Sequence, residues 1–289
     1  MHASKPERKN MIKKSVVIAA LFAGSLLPVA SASAQGVSLA TGFTDFTSWN
    51  LYGSATAANQ TPGNGFTYSA LSLTQGAGGE AGSGFAPVAI TLDYNQAFTF
   101  DFHFFIPVST ELRGDGLTFT LAGAPGVGGG GSGLGYEGLG SNSVAFAIDT
   151  FHFDGEPESP SLQILAGGSV DPLASTETGL GDTIRDPNSQ WYALVEYTPS
   201  GLDDNAGTFM GTIAHIDLGT FSVSAPVDFL ALGMMGNEVY YGFTAGNGLA
   251  VDAHIITSAV PVPEPETYGM LLAGLGLMGF VARRRKLPA

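Results

Sequence analysis

The sequence predicts an all-β protein, a single antiparallel β-sandwich, on three observations. Short runs of alternating or wholly apolar residues recur along the body of the chain, rich in Phe, Tyr, Val, Ile and Thr and separated by turn-forming residues. Glycine and proline number 41 and 16 in 289 residues while only 12% of the chain is charged, which suits a turn-rich β domain better than a helical one. No stretch of the body carries the roughly 3.6-residue apolar periodicity of an amphipathic helix.

In chain order the expected strands are AITLDY (89–94), AFTFDFHFFI (97–106), LTFTLAG (117–123), SVAFAIDTF (143–151) and SLQILAGG (161–168). They continue with QWYALVEYTP (190–199), GTFMGTIAHI (207–216), DFLALGMM (228–235), VYYGFTAG (239–246) and AHIITS (253–258). The body, about residues 35–259, is long enough for one large two-sheet core and shows no break in composition. The glycine run Gly126–Gly135 lacks the Lys-Ser/Thr ending of a phosphate-binding loop, so nucleotide binding is not expected from it.

Both ends read as targeting segments. Residues 1–34 join a basic start (Lys9, Lys13, Lys14) to the apolar centre VVIAALFAGSLLPVA and the small-residue exit ASA, the layout of a secretory signal peptide cut after Ala34. Residues 260–289 contain Pro263-Glu264-Pro265, an apolar span from about Tyr268 to Ala282, and then Arg283, Arg284, Arg285 and Lys286. A span of that length is near the lower limit for a bilayer, with a basic cluster to hold its end in the cytoplasm. This order of parts resembles the PEP-CTERM sorting signal of Gram-negative bacteria. The resemblance implies export, transient anchoring in the inner membrane by a transmembrane sorting helix, and cleavage by an exosortase-type protease. Release to the cell surface or its exopolysaccharide matrix would follow.

With the ends set aside, the body keeps two cations, Arg113 and Arg185, against 22 of the 25 acids. Such a surface repels phosphate backbones, so no nucleic-acid partner is expected. It tolerates neutral sugars and attracts divalent cations. The chain has no cysteine, which excludes disulfides, a thiolate nucleophile and a zinc ribbon.

One acid is conspicuous. Asp115 stands between Gly114 and Gly116 at the start of RGDGLTFTLAG, where glycine on both sides suits either a tight turn or a carboxylate presented at a strand mouth. Seven stretches in order over residues 42–258 carry a family likeness: SWNLYGSATAA, LTQGAGGEAGSGFAP, GDGLTFTLAG, GGGGSGLGY, VAFAIDTF, WYALVEY and VYYGFTAGNGLAVDAHIITS. Together they resemble the L-type lectins, the legume lectins and cargo-receptor lectins, which are concanavalin-like β-sandwiches.

The resemblance implies a sugar site. Asp115 would accept hydrogen bonds from two sugar hydroxyls, and the glycine loop at Gly131, Ser132 and Gly133 would donate backbone N–H. The loop at Leu249 and Ala250 would shape sugar preference, and an aromatic ring, Phe151, Phe153 or Tyr136, would stack on the ligand. In the family the bond before the aspartate is cis, a geometry open to Gly114.

For metal, the resemblance places Asp149 as a ligand and Phe151 as a carbonyl donor, with Asp154, Glu156 and Glu158 as nearby hard oxygens. Ala147 stands where the family has glutamate, Phe153 where it has asparagine and Gln163 where it often has histidine. Losing an acid and an imidazole removes the ligands a transition metal prefers, so no manganese is expected. Calcium on Asp149, Phe151, Asp154 and Glu158 and a merely solvated acidic loop both remain open.

Catalysis is not expected. Glycosidases of this fold place three acids on alternate residues of one strand, and here the alternate positions are Ala147, Asp149 and Phe151. No Gly-x-Ser-x-Gly elbow accompanies the scattered histidines. The sequence is therefore read as a non-enzymatic, exported carbohydrate-binding protein. A structural or adhesin matrix protein on a lectin scaffold is the alternative, and a glycoside hydrolase comes third.

Overall fold

A computed structural model describes residues 37–40, 43, 45–109, 112–153, 155–202, 204–234, 238–261 and 278. The signal segment, Asp154 and nearly all of the tail lie outside the described residues. The described chain forms β1 (Val37–Ala40), β2 (Asn50–Gly53), β3 (Thr56–Gln60), β4 (Tyr68–Gln75), β5 (Ala81–Phe85), β6 (Ile90–Thr91), β7 (Phe98–Phe105) and β8 (Gly116–Ala122). It continues with β9 (Ser143–Asp149), β10 (Ser161–Ala166), β11 (Ala174–Glu177), β12 (Trp191–Pro199), β13 (Ala206–His215), β14 (Gly219–Asp228), β15 (Glu238–Gly246) and β16 (Ala253–Thr257).

Two sheets result. The first runs β14-β13-β12-β7-β16-β4-β3 with β1 beside β7, and the second runs β11-β10-β9-β8-β15-β5-β2 with β6 beside β15. All pairings are antiparallel except β1 with β7.

Alternation explains the first sheet. Phe98, Phe100, Phe102 and Phe104 of β7 and Trp191, Ala193, Val195 and Tyr197 of β12 face the core, while the residues between them are less buried. Each such aromatic contributes roughly 1.5–3 kcal/mol by leaving water. In the second sheet β8 and β9 are buried along their whole length. Leu117, Phe119 and Leu121 join the core, and Thr118 and Thr120 on the other face bond each other at 2.7 Å. That outer face is covered by the glycine-rich segment after β8, which sets Leu134 and Tyr136 on Ala145, Ala147 and Leu165.

Two expectations fail locally. DFLALGMM is not a strand: β14 ends at Asp228 and the chain turns through 229–233, with Leu232 N–H and Met234 N–H bonded back to Asp228 O and Phe229 O. The apolar run is there because Phe229 and Met234 plug the core, Phe229 stacking on Tyr94 at 4.1 Å. AITLDY gives only the two-residue β6, with Leu92 and Tyr94 buried beyond it. Among the described residues no helix is long and apolar enough to cross a membrane. The expected sorting helix and the signal peptide fall outside them.

Candidate functional site

Asp115 lies at the mouth of β8, fixed by backbone on both sides. Its carbonyl accepts Thr150 N–H at 2.8 Å, and the Thr150 hydroxyl donates to Gly114 O at 2.6 Å. Gly246 pairs with Gly116 across β15 and β8, so the loop after β15 comes directly over Asp115. Gly248 N–H from that loop donates to the Asp115 carboxylate. A third loop closes in, bearing the short 3-10 turn Gly131–Gly133.

A methyl placed on Gly248 would stand 3.3 Å from Asp115 Oδ2 and 3.5 Å from Gly131 Cα, and Gly131 itself has φ +63°. Glycine suits both positions, a left-handed backbone at Gly131 and a close approach at Gly248 that a side chain would crowd. The result is a buried carboxylate, 5% exposed, framed by two glycine backbones.

The predicted residues divide. Asp115, Gly131 and the loop bearing Leu249 come together, with Leu249 fully exposed and Ser132 exposed at the tip of its turn. Gly133 and Ala250 are buried, and Gly133 N–H is committed to Gly130 O at 3.1 Å. Phe153 is 61% exposed on the adjacent loop, its N–H bonded to Glu156 Oε2 at 2.9 Å. Tyr136 is wholly buried, its hydroxyl bonded to Ser143 at 3.0 Å, which makes it a packing residue. The bond between Gly114 and Asp115 is trans; the cis bond among the described residues is Ser159–Pro160. Asp115 is held through Gly248 N–H, Thr150 and the Gly114 backbone.

Burial pushes the Asp115 carboxyl up to about 6, with the Gly248 hydrogen bond opposing and the charge of Glu156 adding to the rise. Burial likewise raises Asp149 to about 7, again helped by Glu156 and opposed by the bonds it accepts. Those bonds come from Phe151 N–H at 3.0 Å and the Ser159 hydroxyl at 3.2 Å on Oδ1, and from Gln163 Nε2 at 2.8 Å on Oδ2.

The cation implied by the resemblance does not fit this arrangement. The Gln163 amide points an N–H at Asp149 Oδ2, and Ala147 opposite Gln163 supplies only a methyl. Glu158 is exposed, Asp154 lies outside the described residues, and among the described residues no three acidic, histidine or cysteine side chains gather closely enough to hold a metal.

Sequence reasoning missed the residues behind the site. Asp252, fully buried, accepts Gly114 N–H and Ser109 N–H at 3.1 Å each and pairs with Arg185 Nε at 2.8 Å. Asn247 closes the loop on itself by donating to Asp252 O at 2.9 Å, and it also donates to Glu80 Oε2 at 3.0 Å. Glu80 holds its own turn through Gln75 N–H and Ala77 N–H, and Gly79 N–H reaches Gly248 O. Arg113 ties Thr150 O, Ser159 O and Asp182 together. A signal existed: with two cations left among 22 acids in the body, Arg113 and Arg185 were the candidates for ion pairs.

The PEP-CTERM protein-sorting motif matches residues 261–286. No curated protein matches the sequence. Among solved structures, the winged bean acidic lectin complexed with methyl-α-D-galactose is similar at a TM-score of 0.58 and 22% identity, over 77% of this chain and 92% of the lectin. Lectin II from Ulex europaeus gives 0.60 at 16%, over 75% and 95%. Arcelin-5, a lectin-like defense protein from Phaseolus vulgaris, gives 0.58 at 19%, over 75% and 94%. The chain is thus a sandwich of the legume-lectin fold. It carries a C-terminal PEP-CTERM sorting motif.

Proposed function

We propose that this is an exported, non-enzymatic carbohydrate-binding protein whose site is built on Asp115, Gly131 and the Gly248–Leu249 backbone. The observation that carries the reading is the buried Asp115 carboxylate set between two close glycine loops. A carboxylate offers two acceptor oxygens to a vicinal pair of hydroxyl donors, and glycine lets a flat ring approach the backbone. Leu249 and Phe153, both exposed, supply apolar surface for a sugar's C–H faces, and Ser132, Gly133 and Ala250 shape the loops around it. The acidic body excludes phosphate polymers and favours neutral glycans. The lectin complexed with methyl-α-D-galactose supports the reading by its fold alone.

Hydrolysis is disfavoured because β9 presents one acid, Asp149, whose carboxylate is taken up by three donors. A matrix or adhesin scaffold that binds nothing in this cleft is the second reading. Phe153 favours it, since an exposed ring stands where the resemblance expects a hydrogen-bonding amide.

The raised Asp115 carboxyl gives a test. Sugar hydroxyls need the ionised form, so retention on an immobilised neutral polysaccharide is full well above about pH 6 and falls roughly tenfold for each unit below it. The linkage runs the other way for stability. A folded-state pKa above the unfolded value contributes stability in acid and loses it as pH rises through about 6. Weaker retention in mild acid should therefore coincide with no loss of melting temperature from this group. Retention that ignores pH would remove Asp115 from the contact.

The domain limits we propose are a signal peptide at residues 1–34, the sandwich at 35–259 and the sorting segment at 260–289. An exosortase-type protease cuts near Pro263–Pro265, after transient inner-membrane anchoring, and releases the protein to the cell surface or exopolysaccharide matrix. Intact mass of protein recovered from medium is expected to lack both ends. Released chains still reaching Ala289 would refute the second cut.

A further inference from the structure

We infer that the Asp149 loop is closed by the Gln163 side-chain amide in place of a cation, so that the sandwich and its candidate site assemble independently of calcium and manganese. The inference rests on the hydrogen-bond geometry and stands apart from the glycan reading, because its first readout needs no sugar.

Asp149 ends β9 and is nearly buried, 6% exposed. A buried carboxylate must be met by donors or by an ion. Here both oxygens meet donors. Oδ1 takes Phe151 N–H and the Ser159 hydroxyl, and Oδ2 takes Gln163 Nε2. Gln163 is buried on β10, diagonal to Asp149, and its amide is steadied by the Ser161 oxygen at 3.0 Å. With the carboxylate accepting, the amide must turn its NH2 toward Oδ2 and not its oxygen. A cation bound to Oδ2 would meet those hydrogens. Ala147, paired with Gln163 across β9 and β10, offers no oxygen in compensation.

Glu156 is the further acid whose charge reaches Asp149. Its Oε2 is engaged by Phe153 N–H, and the acids do not converge into a metal-sized group among the described residues. The three donors belong to strand and loop positions on both sides of the 151–159 excursion, so they do the tethering that an ion would otherwise do.

The experiment uses the full chain, stripped of metal and melted in excess chelator, in calcium and in manganese. The midpoints are expected to agree within about 1 °C. A cation bound at a hundredfold its dissociation constant would instead raise the midpoint by roughly 5–10 °C for a domain of this size, and a rise of that size would overturn the inference. A second arm replaces Gln163 by glutamate, which sets a like charge against Asp149 in place of a donor. Gln163→Glu is expected to melt below wild type in chelator. Coincidence with wild type there would show that the amide closes nothing and would equally overturn it.

Discussion

Asp115→Asn is expected to abolish retention on a polysaccharide that holds the wild-type chain, with little change in melting temperature. Asparagine keeps the shape, and its single oxygen can still accept Gly248 N–H, the bond that seats the loop. What disappears is the second acceptor and the charge. A hydrogen bond to a charged group contributes about 1.5–3 kcal/mol, so losing that acceptor costs roughly ten- to a hundredfold in affinity, enough to abolish retention of a weakly bound sugar. The fold is spared because the carboxylate is a burden on it: burial raises its pKa to about 6, so the neutral amide removes a desolvation cost near neutral pH. Alanine would be a poorer probe. It would orphan the Gly248 N–H and confound loss of contact with loss of loop geometry. Competition between the two proteins on one immobilised glycan, at matched melting temperature, checks the prediction.

The second large effect lies behind the site. Arg185→Gln is expected to destabilise the protein by about 3–5 kcal/mol, the cost of leaving a buried charge without its partner. Asp252 has no exposed surface and the Arg185 side chain 3%, so water cannot replace the guanidinium. Against a total stability of roughly 5–15 kcal/mol, that is a fall in melting temperature on the order of 10 °C. Burial already pushes the Asp252 carboxyl up, with its hydrogen bonds and Arg185 holding it down, so removing the arginine drives it toward protonation. Because Asp252 also fixes Gly114 N–H and Ser109 N–H, the same substitution loosens the segment that presents Asp115. The ion pair of Arg113 with Asp182 is the internal contrast. Asp182 is 73% exposed, and an exposed pair of this kind contributes about 0–1 kcal/mol. Thermal melts of Arg185→Gln and of Asp182→Asn, which spares the bonds of Arg113 to Thr150 O and Ser159 O, check the ranking.

The parts legible in the sequence were those governed by local period. Strands β7 and β12 announce themselves because their inward residues are aromatic or apolar at every second position. Strand β5, AGSGF, does not. Its glycines read as loop, yet Gly82 is a strand residue because any Cβ there would stand 1.9 Å from Leu73 O. The cause is the close approach of β5 to the backbone of β4, which the alternation pattern does not report. Strand β14 hides for another reason. It carries Pro226, tolerated because β14 is the edge of its sheet. In DFLALGMM an apolar run has the composition of a strand yet forms a turn that plugs the core.

The candidate site divides the same way. The glycines flanking Asp115 mark an unusual backbone from sequence alone, and the order of motifs points to the loops that meet it. The partners that hold those loops are far along the chain: Arg185 and Asp252, Asn247 and Glu80, Asp149 and Gln163. Each is an ordinary polar residue until the sheets bring it to its partner. Gln163 in particular reads in sequence as the loss of a ligand, and only the fold turns it into a donor.

The proposed site holds a neutral glycan at Asp115 with no cation required. The direct measurement is a glycan array probed at neutral pH in excess chelator with the full chain and, beside it, Asp115→Asn. Wild type is expected to bind one or more neutral glycans and the variant to lose them all. Wild-type binding that is absent, that appears only on adding calcium, or that persists unchanged in Asp115→Asn would contradict it.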